Sequence, residues 1–370
     1  MRTPYFLVDE KRLIHNLKIL KEIQEDTGCK ILLAQKAFSM FSVYPLIQKY
    51  LAGTTASGLY EAKLGKEHFG GETHIYAPAY REDEFDEILD IADHILFNSS
   101  SQLKKYGERA KQEGKAVGLR VNPECSTQEG HEIYDPCGAG SRLGTVLSEF
   151  DENLLPMLDG LHFHTLCEQN SDDLETTAKA FEEKFGAYLY GMRWLNMGGG
   201  HHITRSDYDI QKLKGIIRHF QETYGVTVYL EPGEAVVLNA GFLVSSVLEV
   251  VHNGIDIAIL DTSAACHMPD VLEMPYRPPL KGSGLAREKK YTYRLAGPTC
   301  LAGDIIGDYS FDAPLKEGSL VTFDDMALYT MVKTNTFNGM RLPDIAICQE
   351  NGEIRLVKTF GYEDFKCRLS

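Results

Sequence analysis

The chain has 370 residues, of which 43% are hydrophobic and 25% charged, so it is long enough to bury a large core and to form two domains. Its formal net charge of -15 argues against nucleic acid and anionic membranes as partners and favours a cationic substrate. The eight cysteines are dispersed without a CxxC pair, the N-terminus lacks a signal peptide's long apolar segment and no run is long enough to span a membrane, which together predict a globular protein of the reducing cytoplasm.

The first two-thirds of the chain alternates between predicted helices and strands. A helix is predicted from Asp9, as its N-cap, to Gly28, because apolar residues recur between them at helical spacing. Eight strand-like runs follow, at 31–35, 53–56, 74–77, 94–97, 117–121, 160–163, 193–196 and 227–230. Eight strands that alternate with helical segments over roughly 250 residues predict an α/β fold with a (β/α)8 TIM barrel, here residues 10–240. A doubly wound sheet is the competing architecture.

The last third of the chain has a different pattern. Strand-like runs recur there with few helical segments between them, at 242–251, 255–260, 291–295, 319–323 and 353–359. We therefore predict a second, β-rich domain, sandwich-like or barrel-like, formed by residues 241–370 together with residues 1–9.

Polar residues and glycines fall at the carboxyl ends of the predicted barrel strands, which is the face that carries the active site in TIM barrels. They are Lys36, Ser57, Asn98, Asn122, His164, Gly198 to Gly200 and Glu231. Lys36 is the most informative, since an apolar strand rarely ends on an unpaired ammonium. Burial would lower its pKa and make it an amine that bonds to a carbonyl cofactor such as pyridoxal phosphate. The alternative is a lysine that merely extends from the strand end into solvent.

Three other strand-end features each have a functional and a structural interpretation. The glycines Gly198–Gly200 would let backbone N–H groups approach a phosphate or would form a tight turn, and they do not match the dinucleotide motif GxGxxG. Glu231, in an EPG sequence, would hold a heterocyclic nitrogen protonated or would accept a nearby N–H. His164 would stack on a flat cofactor ring or lie in the core.

The remaining candidates give weaker signals. His162 and the pair His201-His202 have no carboxylate or cysteine partner at ligand spacing, so no metal site is predicted. Cys300 lies in a turn-prone segment where a thiol could deliver a proton to a carbanion, although a lone loop cysteine is usually inert. Tyr329 could place a phenol on a phosphate, but tyrosines are common in β-sheet cores.

Taken together, these segments resemble the fold-type III pyridoxal-phosphate decarboxylases, which include ornithine, diaminopimelate and carboxynorspermidine decarboxylases and are related to alanine racemase. The resemblance runs nearly end to end and implies pyridoxal 5'-phosphate as the cofactor. It implies that Lys36 bonds to the cofactor, that His164 stacks on its ring and that Glu231 pairs with its pyridine nitrogen.

The same resemblance implies roles for the other motifs. Gly198, Gly199, Gly200 and Tyr329 would bind the cofactor phosphate. Cys300, in a GPxCxxxD-like segment, would reach into the active site of a second subunit and act with Lys36 as a catalytic residue. The expected assembly is therefore a homodimer with shared active sites.

Departures from the family pattern indicate a branch. Glu234 follows the EPG motif where ornithine and diaminopimelate decarboxylases have arginine, and Leu301 follows the cysteine where diaminopimelate enzymes have an acid. Thr165-Leu166-Cys167 replaces the expected Gly-Ser after the stacking histidine. Five acids near the presumed barrel mouth are candidates for binding a long cationic substrate, or are solvated loop acids: Glu234, Asp261, Asp270, Glu273 and Asp304.

This combination resembles the branch that decarboxylates carboxynorspermidine or carboxyspermidine in polyamine biosynthesis. A diaminopimelate decarboxylase, or one for another basic amino acid, is the alternative within the same chemistry, and a racemase is a third possibility. An inactive regulatory homologue is the alternative from a different class. Such homologues typically lose the lysine, the cysteine or the phosphate glycines, whereas Lys36, Cys300 and Gly198–Gly200 are all retained.

Overall fold

The structure is a computed structural model that describes residues 1–129 and 132–370. It divides into two compact units, one formed by His15–Val236 and the other by Met1–Ile14 with Val237–Ser370. We refer to them as the barrel unit and the sheet unit.

The strands are β1 (Tyr5–Asp9), β2 (Lys30–Ala34), β3 (Gly53–Ala56), β4 (Glu72–Tyr76), β5 (His94–Phe97), β6 (Ala116–Arg120), β7 (Gly160–His162), β8 (Trp194–Asn196), β9 (Thr227–Leu230), β10 (Gly241–Asn253), β11 (Ile255–Leu260), β12 (Tyr291–Ala296), β13 (Ile305–Phe311), β14 (Leu320–Asp324), β15 (Asp344–Cys348) and β16 (Ile354–Lys358). The helices are α1 (Glu10–Thr27), α2 (Tyr44–Ile47), α3 (Leu59–His68), α4 (Phe85–Ile91), α5 (Ser100–Gln112), α6 (Ser171–Phe185), α7 (Ile210–Tyr224), α8 (Glu234–Val237), α9 (Ala264–His267), α10 (Asp270–Glu273) and α11 (Tyr362–Lys366). Short 3-10 segments lie at Phe41–Val43, Glu132–Tyr134, Leu147–Glu149, Glu152–Met157, Gly186–Leu189, Met331–Lys333 and Phe337–Gly339.

The barrel unit is a closed barrel in which β2 to β9 pair in sequence order. The strands are parallel, and β2 closes the barrel by pairing with β9, with Ile31 opposite Leu230. All eight predicted strands are present, which confirms the TIM barrel and excludes the doubly wound sheet. The predicted first helix is α1, which ends where Gly28 adopts a left-handed φ of 71°.

The barrel interior is packed around the single tryptophan of the chain. Trp194, at the start of β8, forms a buried cluster with Leu32, Leu96 and Tyr229 from three other strands. A Cβ at Gly118 of β6 would collide with the indole ring of Trp194. Glycine is therefore needed at this position because the indole occupies the space of its missing side chain.

A polar network lies near the amino ends of the same strands. The carboxylate of Glu72, the first residue of β4, accepts hydrogen bonds from His74 Nε2 and from the Tyr229 hydroxyl, both at 3.0 Å. Lys30, the first residue of β2, forms an ion pair with the same carboxylate. These contacts lower the pKa of Glu72 to about 2, although its burial alone would raise it.

The sheet unit is built on one mixed sheet with the strand order β13-β12-β11-β10-β1-β15-β16, and β14 also pairs with β10. Strand β1 lies in the interior of this sheet, antiparallel to β10 and parallel to β15. The core of this unit includes Leu243, Leu260, Tyr309 and Phe323. The sequence predicts this β-rich fold and assigns residues 1–9 to it, but it does not identify β1, β13 or β15 as separate strands. Gly307 and Asp308 interrupt the apolar alternation of β13, which hides it from pattern analysis.

Membrane insertion by a helix finds no support in the described part of the chain. None of its helices combines the length and the apolar composition that crossing a bilayer demands.

We predict that Gly118→Ala destabilises the barrel by about 1–3 kcal/mol, because the added methyl must displace the Trp194 ring. Thermal and urea denaturation of the purified variant measure this loss. Gly215→Ala is the matched control, since Gly215 is exposed on α7 with open space at its Cβ position, and alanine is the better helix former. Equal stability of Gly118→Ala and the parent would contradict the packing argument.

Candidate active site

Three neighbouring barrel strands end in side chains that bind one another. Glu231 follows β9 directly, Asn196 is the last residue of β8 and His162 is the last residue of β7. Asn196 Nδ2 donates to one oxygen of the Glu231 carboxylate at 2.8 Å, and His162 Nε2 lies 3.3 Å from the other. All three residues are buried. A carboxylate with two donors is thus held at the carboxyl end of the barrel.

The charge state of this cluster follows from its burial. Burial lowers the pKa of His162, so its ring is neutral. Its Nε2–H donates a hydrogen bond to the Glu231 carboxylate. Burial alone would raise the pKa of Glu231, but the hydrogen bonds from His162 and Asn196 bring it below its usual range. Glu231 is therefore an interior anion, as the nitrogen of a cationic ring requires.

The glycines after β8 are required by close packing. Gly198 has a φ of 69° and donates its N–H to Asn196 Oδ1 at 2.9 Å. A Cβ at Gly199 would collide with the carbonyl oxygen of Glu231, and a Cβ at Gly200 with the carbonyl oxygen of Leu166. The tight-turn interpretation accounts for these three glycines, and their binding of a phosphate stays a prediction.

His164 has its orientation fixed by this turn. Its Nδ1 accepts the N–H of Gly199 at 2.8 Å, so the ring proton lies on Nε2. Burial, with the nearby charge of Lys36 as a smaller cause, lowers the pKa of His164 well below its usual value. The site therefore contains a neutral flat ring beside the glycines, as stacking on a cofactor requires.

Lys36 lies beyond the end of β2 and is exposed, whereas its neighbours Gln35 and Ala37 are buried. This differs from the predicted dry strand end, because the strand stops at Ala34 and the lysine projects from a turn. Protein nevertheless surrounds the amine closely enough that desolvation, followed by the charge of Arg120, lowers its pKa. A solvent-accessible amine of lowered pKa is the form of lysine that reacts with a carbonyl group.

Arg120 is a site residue that the sequence analysis missed. It is the last residue of β6, it is buried, and its guanidinium lies 4.7 Å from the centre of the Tyr76 ring. Its Nη2 has no hydrogen-bond partner among the described residues. A buried charged donor without a partner indicates a polar or anionic ligand group at this place. The rule that selected Lys36, a cation at the end of a buried strand, would also have selected Arg120.

The site residues fit pyridoxal 5'-phosphate on these observations. Lys36 offers a reactive amine, Glu231 offers an anion for a ring nitrogen and His164 offers a flat face. The unpaired Nη2 of Arg120 offers a donor for a polar substituent. The structure thus brings together, in the barrel unit, the four groups that such a cofactor needs.

Two predicted residues, Cys300 and Tyr329, belong to the sheet unit. Cys300 is exposed, and its backbone N–H donates to Asn338 Oδ1 at 2.8 Å, which fixes the loop that carries the thiol. Tyr329 is half-buried and has a left-handed φ of 50°. Their predicted roles stay predictions.

The five acids predicted to bind substrate differ in their surroundings. Asp261 accepts hydrogen bonds from Ser245 and Ser246, and the buried Asp304 accepts from Ser263, the Ala265 N–H and Thr299. Asp270 and Glu273 both form ion pairs with Lys333, a cation of the chain itself.

Glu234, the fifth acid, belongs to the barrel unit. One of its oxygens lies 3.0 Å from His202 Nε2, and His202 Nδ1 lies 3.4 Å from an Arg205 nitrogen. If Arg205 donates to Nδ1, the ring must donate its Nε2 proton to Glu234. The Glu234 carboxylate is therefore held in place by the His202 ring.

Two groups of side chains in the described residues bring metal-ligand atoms within 4.8 Å of one another: Glu72, His74 and His94, and Glu168, His202 and Glu234. The sequence analysis named neither group. Glu72 and His74 lie on β4 and His94 on the neighbouring β5, whereas the second group comes from three segments that are far apart in the chain. In the first group the ammonium of Lys30 already balances Glu72, and the rings of His74 and His94 stack with their centres 3.9 Å apart, so the two rings lie in nearly parallel planes. In the second, the guanidinium of Arg205 lies beside His202. Neither arrangement favours a cation.

Comparison with known proteins gives a family match. Residues 10–327 match the family model described as pyridoxal-dependent decarboxylase, C-terminal sheet domain. The chain is 42% identical to the carboxynorspermidine/carboxyspermidine decarboxylase of Campylobacter jejuni, over 100% of this chain and 98% of that protein. It is also 42% identical to the carboxyaminopropylagmatine decarboxylase of Synechocystis, over 99% of this chain and 95% of that protein.

Crystal structures show the same similarity. The carboxynorspermidine decarboxylase of Campylobacter jejuni in complex with norspermidine matches with a TM-score of 0.94 and 41% identity, and 100% of both chains is covered. The diaminopimelate decarboxylase of Helicobacter pylori in complex with L-lysine matches with a TM-score of 0.82 over 100% of this chain and 97% of that one. Its identity of 17% shows a shared fold only.

We predict that Gly199→Ala weakens cofactor binding at least about tenfold, since its Cβ must push the end of β8 away from Glu231. Titration of the variant with pyridoxal phosphate, followed by fluorescence, measures the dissociation constant. Gly58→Ala is the control, because Gly58 also follows a barrel strand but has open space at its Cβ position. Unchanged affinity in Gly199→Ala would show that the strand ends tolerate separation.

Proposed function

The chain belongs to the pyridoxal-dependent decarboxylases, and on that premise we propose that it decarboxylates carboxynorspermidine and carboxyspermidine to norspermidine and spermidine. The observation that carries the proposal is the full-length identity of 42% to a decarboxylase of these two compounds. The cofactor of the family is pyridoxal 5'-phosphate. The site supports this assignment because Lys36, His164 and Glu231 lie in one barrel with the charge states that the cofactor requires.

Each proposed cofactor contact follows from the local chemistry. Lys36 would hold the carbonyl carbon, His164 would cover one face of the ring, and Glu231 would hold the proton of the pyridine nitrogen. Gly200 and Tyr329 would contact the phosphate. The N–H groups of Gly198 and Gly199 donate to Asn196 and His164. These two glycines would therefore shape the turn that brings Gly200 to the phosphate.

We assign separate chemical roles to the cofactor, Lys36 and Glu231. Bound pyridoxal phosphate supplies the electron sink that allows CO2 to leave from a carbon next to an amine. Lys36 would hold the cofactor through Nζ and would accept or return a proton at that atom. Glu231 would keep the ring nitrogen protonated.

The carbon that has lost CO2 must then take up a proton. We propose that the thiol of Cys300 from a second copy of the chain delivers it from Sγ. This requires a homodimer with shared active sites. A reducing cytoplasm suits the chemistry, and all eight cysteines are unpaired.

The cationic part of the substrate requires an anion at the barrel mouth. We propose Glu234 for this role, because His202 holds its carboxylate in place. We assign no substrate contact to the other four acids, because their oxygens already bind Ser245, Ser246, Ser263, Thr299 and Lys333.

A second candidate substrate has specific support. The relative from Synechocystis is as similar as the one from Campylobacter, and its name refers to carboxyaminopropylagmatine. All three compounds would present an amine and a carboxylate to the cofactor and differ at the distal cationic end. Diaminopimelate is less favoured, since the curated diaminopimelate decarboxylases are 23–27% identical to this chain.

We predict that Lys36→Ala abolishes the visible absorbance band of the bound cofactor and lowers turnover at least about 100-fold, because the variant lacks the amine that we assign to the cofactor carbonyl. Spectrophotometry and a CO2-release assay measure the two effects. Lys30→Ala, at the other end of β2, is the control and should retain the band. A Lys36→Ala protein with both the band and full turnover would refute the assignment.

We predict the highest kcat/KM on carboxynorspermidine or carboxyspermidine in a panel that also contains carboxyaminopropylagmatine, diaminopimelate, ornithine and arginine. The physical reason is that Glu234 replaces the arginine expected after the EPG motif, which favours a long cationic substrate. CO2 release at matched concentrations gives the ranking. Robust turnover of diaminopimelate would overturn the proposal, and a preference for carboxyaminopropylagmatine would select the second candidate.

A further inference from the structure

His162 and Asn196 form a clamp of two hydrogen bonds on the Glu231 carboxylate. The reaction proposed above assigns no role to either donor. We propose that His162 is a positioning residue that keeps Glu231 ionised and correctly oriented, so that its carboxylate and not its acid form faces the cofactor ring. The inference rests on the proposed role of Glu231 at the ring nitrogen and is independent of which substrate is decarboxylated.

The ring of His162 is directed at Glu231 and at no other partner. Its Nε2 lies 3.3 Å from Glu231 Oε2, and its Nδ1 has no hydrogen-bond partner among the described residues. Tyr76 stacks on the imidazole with ring centres 5.7 Å apart and an angle of 25° between the planes. The plane is thus set by Tyr76, and the one donated hydrogen bond goes to the carboxylate.

A packing histidine would need no such arrangement. His162 is 2% exposed and its Nδ1 has no partner among the described residues, so an apolar ring would pack here without leaving a buried nitrogen unpaired. What the histidine adds is the hydrogen bond from its Nε2 to Glu231. The neutral ring gives Glu231 a hydrogen bond without adding a positive charge that would compete with the ring nitrogen. Asn196 gives the second hydrogen bond, at 2.8 Å, and its Oδ1 accepts the Gly198 N–H, which ties the clamp to the glycine turn.

Several charged or titratable groups act on the pair besides the clamp, and a pH profile must be interpreted with them in view. They are His74 and Tyr76 on β4, Arg120 on β6, Lys36 after β2, and His201 in the segment after the glycines. His162 and Asn196 are the donors that hydrogen-bond to the Glu231 carboxylate within the described part of the chain. Loss of either donor is therefore expected to raise the pKa of Glu231, which its burial already favours.

The test compares His162→Phe, which keeps a flat ring without a donor, with His162→Gln, which restores an N–H. In the holoenzyme, His162→Phe should move the acid limb of kcat and the pH titration of the visible band upward by about one pH unit, with KM little changed. At pH values below the limb, kcat should fall roughly tenfold. His162→Gln should lie between the variant and the parent.

His74→Phe is the matched control, because His74 is also buried and donates to a carboxylate, that of Glu72, near the amino ends of the strands. It should lower the melting temperature and move the acid limb much less than His162→Phe does, because His74 acts on Glu231 only through its charge and gives its hydrogen bond to Glu72. If His162→Phe does not fold, His162→Gln and Asn196→Ala carry the test, and both must shift the limb in the same direction.

The outcomes separate the inference from its premise. Glu231→Gln is measured first, and if it leaves the spectrum unchanged, the proposed role of Glu231 fails. If Glu231→Gln changes the spectrum while folded His162→Phe, or its two substitutes, keep the parent's acid limb and band, the premise stands and the positioning role of His162 is refuted.

Discussion

The constraint on which the site depends is an ionised carboxylate in the interior of the barrel. A buried anion is costly unless its oxygens are hydrogen-bonded, and Glu231 meets this requirement with donors from the two preceding strands. The same contacts join the ends of β7, β8 and β9. Asn196 also accepts the N–H of Gly198. The same side chain therefore stabilises the Glu231 anion and fixes the shape of the glycine turn.

The sequence leaves two explanations open for the glycines after β8, a tight turn and the close approach of a phosphate to bare backbone. In the structure the carbonyl oxygens of Glu231 and Leu166 occupy the space that side chains at Gly199 and Gly200 would need. Two of the three N–H groups serve Asn196 and His164. The turn therefore acts first on the orientation of the acid and of the stacking histidine.

Much of the fold could be predicted because parallel barrel strands are short apolar runs at regular intervals, and all eight were found this way. Residues at the ends of those strands could be selected as site candidates for the same reason. Partnerships between strands were not readable, since β7 and β9 lie far apart in the chain, and so His162 was considered only as a metal ligand. Arg120 was missed because the predicted strand runs on to Val121, so the arginine was not recognised as the last residue of the strand. The acids Asp261 and Asp304 gave no sign of their serine and threonine partners.

The interior place of β1 in its sheet has a consequence for biosynthesis. β1 is made before the barrel strands, and its partners β10 and β15 are made after them. Nascent β1 therefore has no sheet partner while the barrel segment is being made. The segment His15–Val236 can meanwhile complete its own strand pairings, so vectorial synthesis favours a barrel that forms first and a sheet that is finished last.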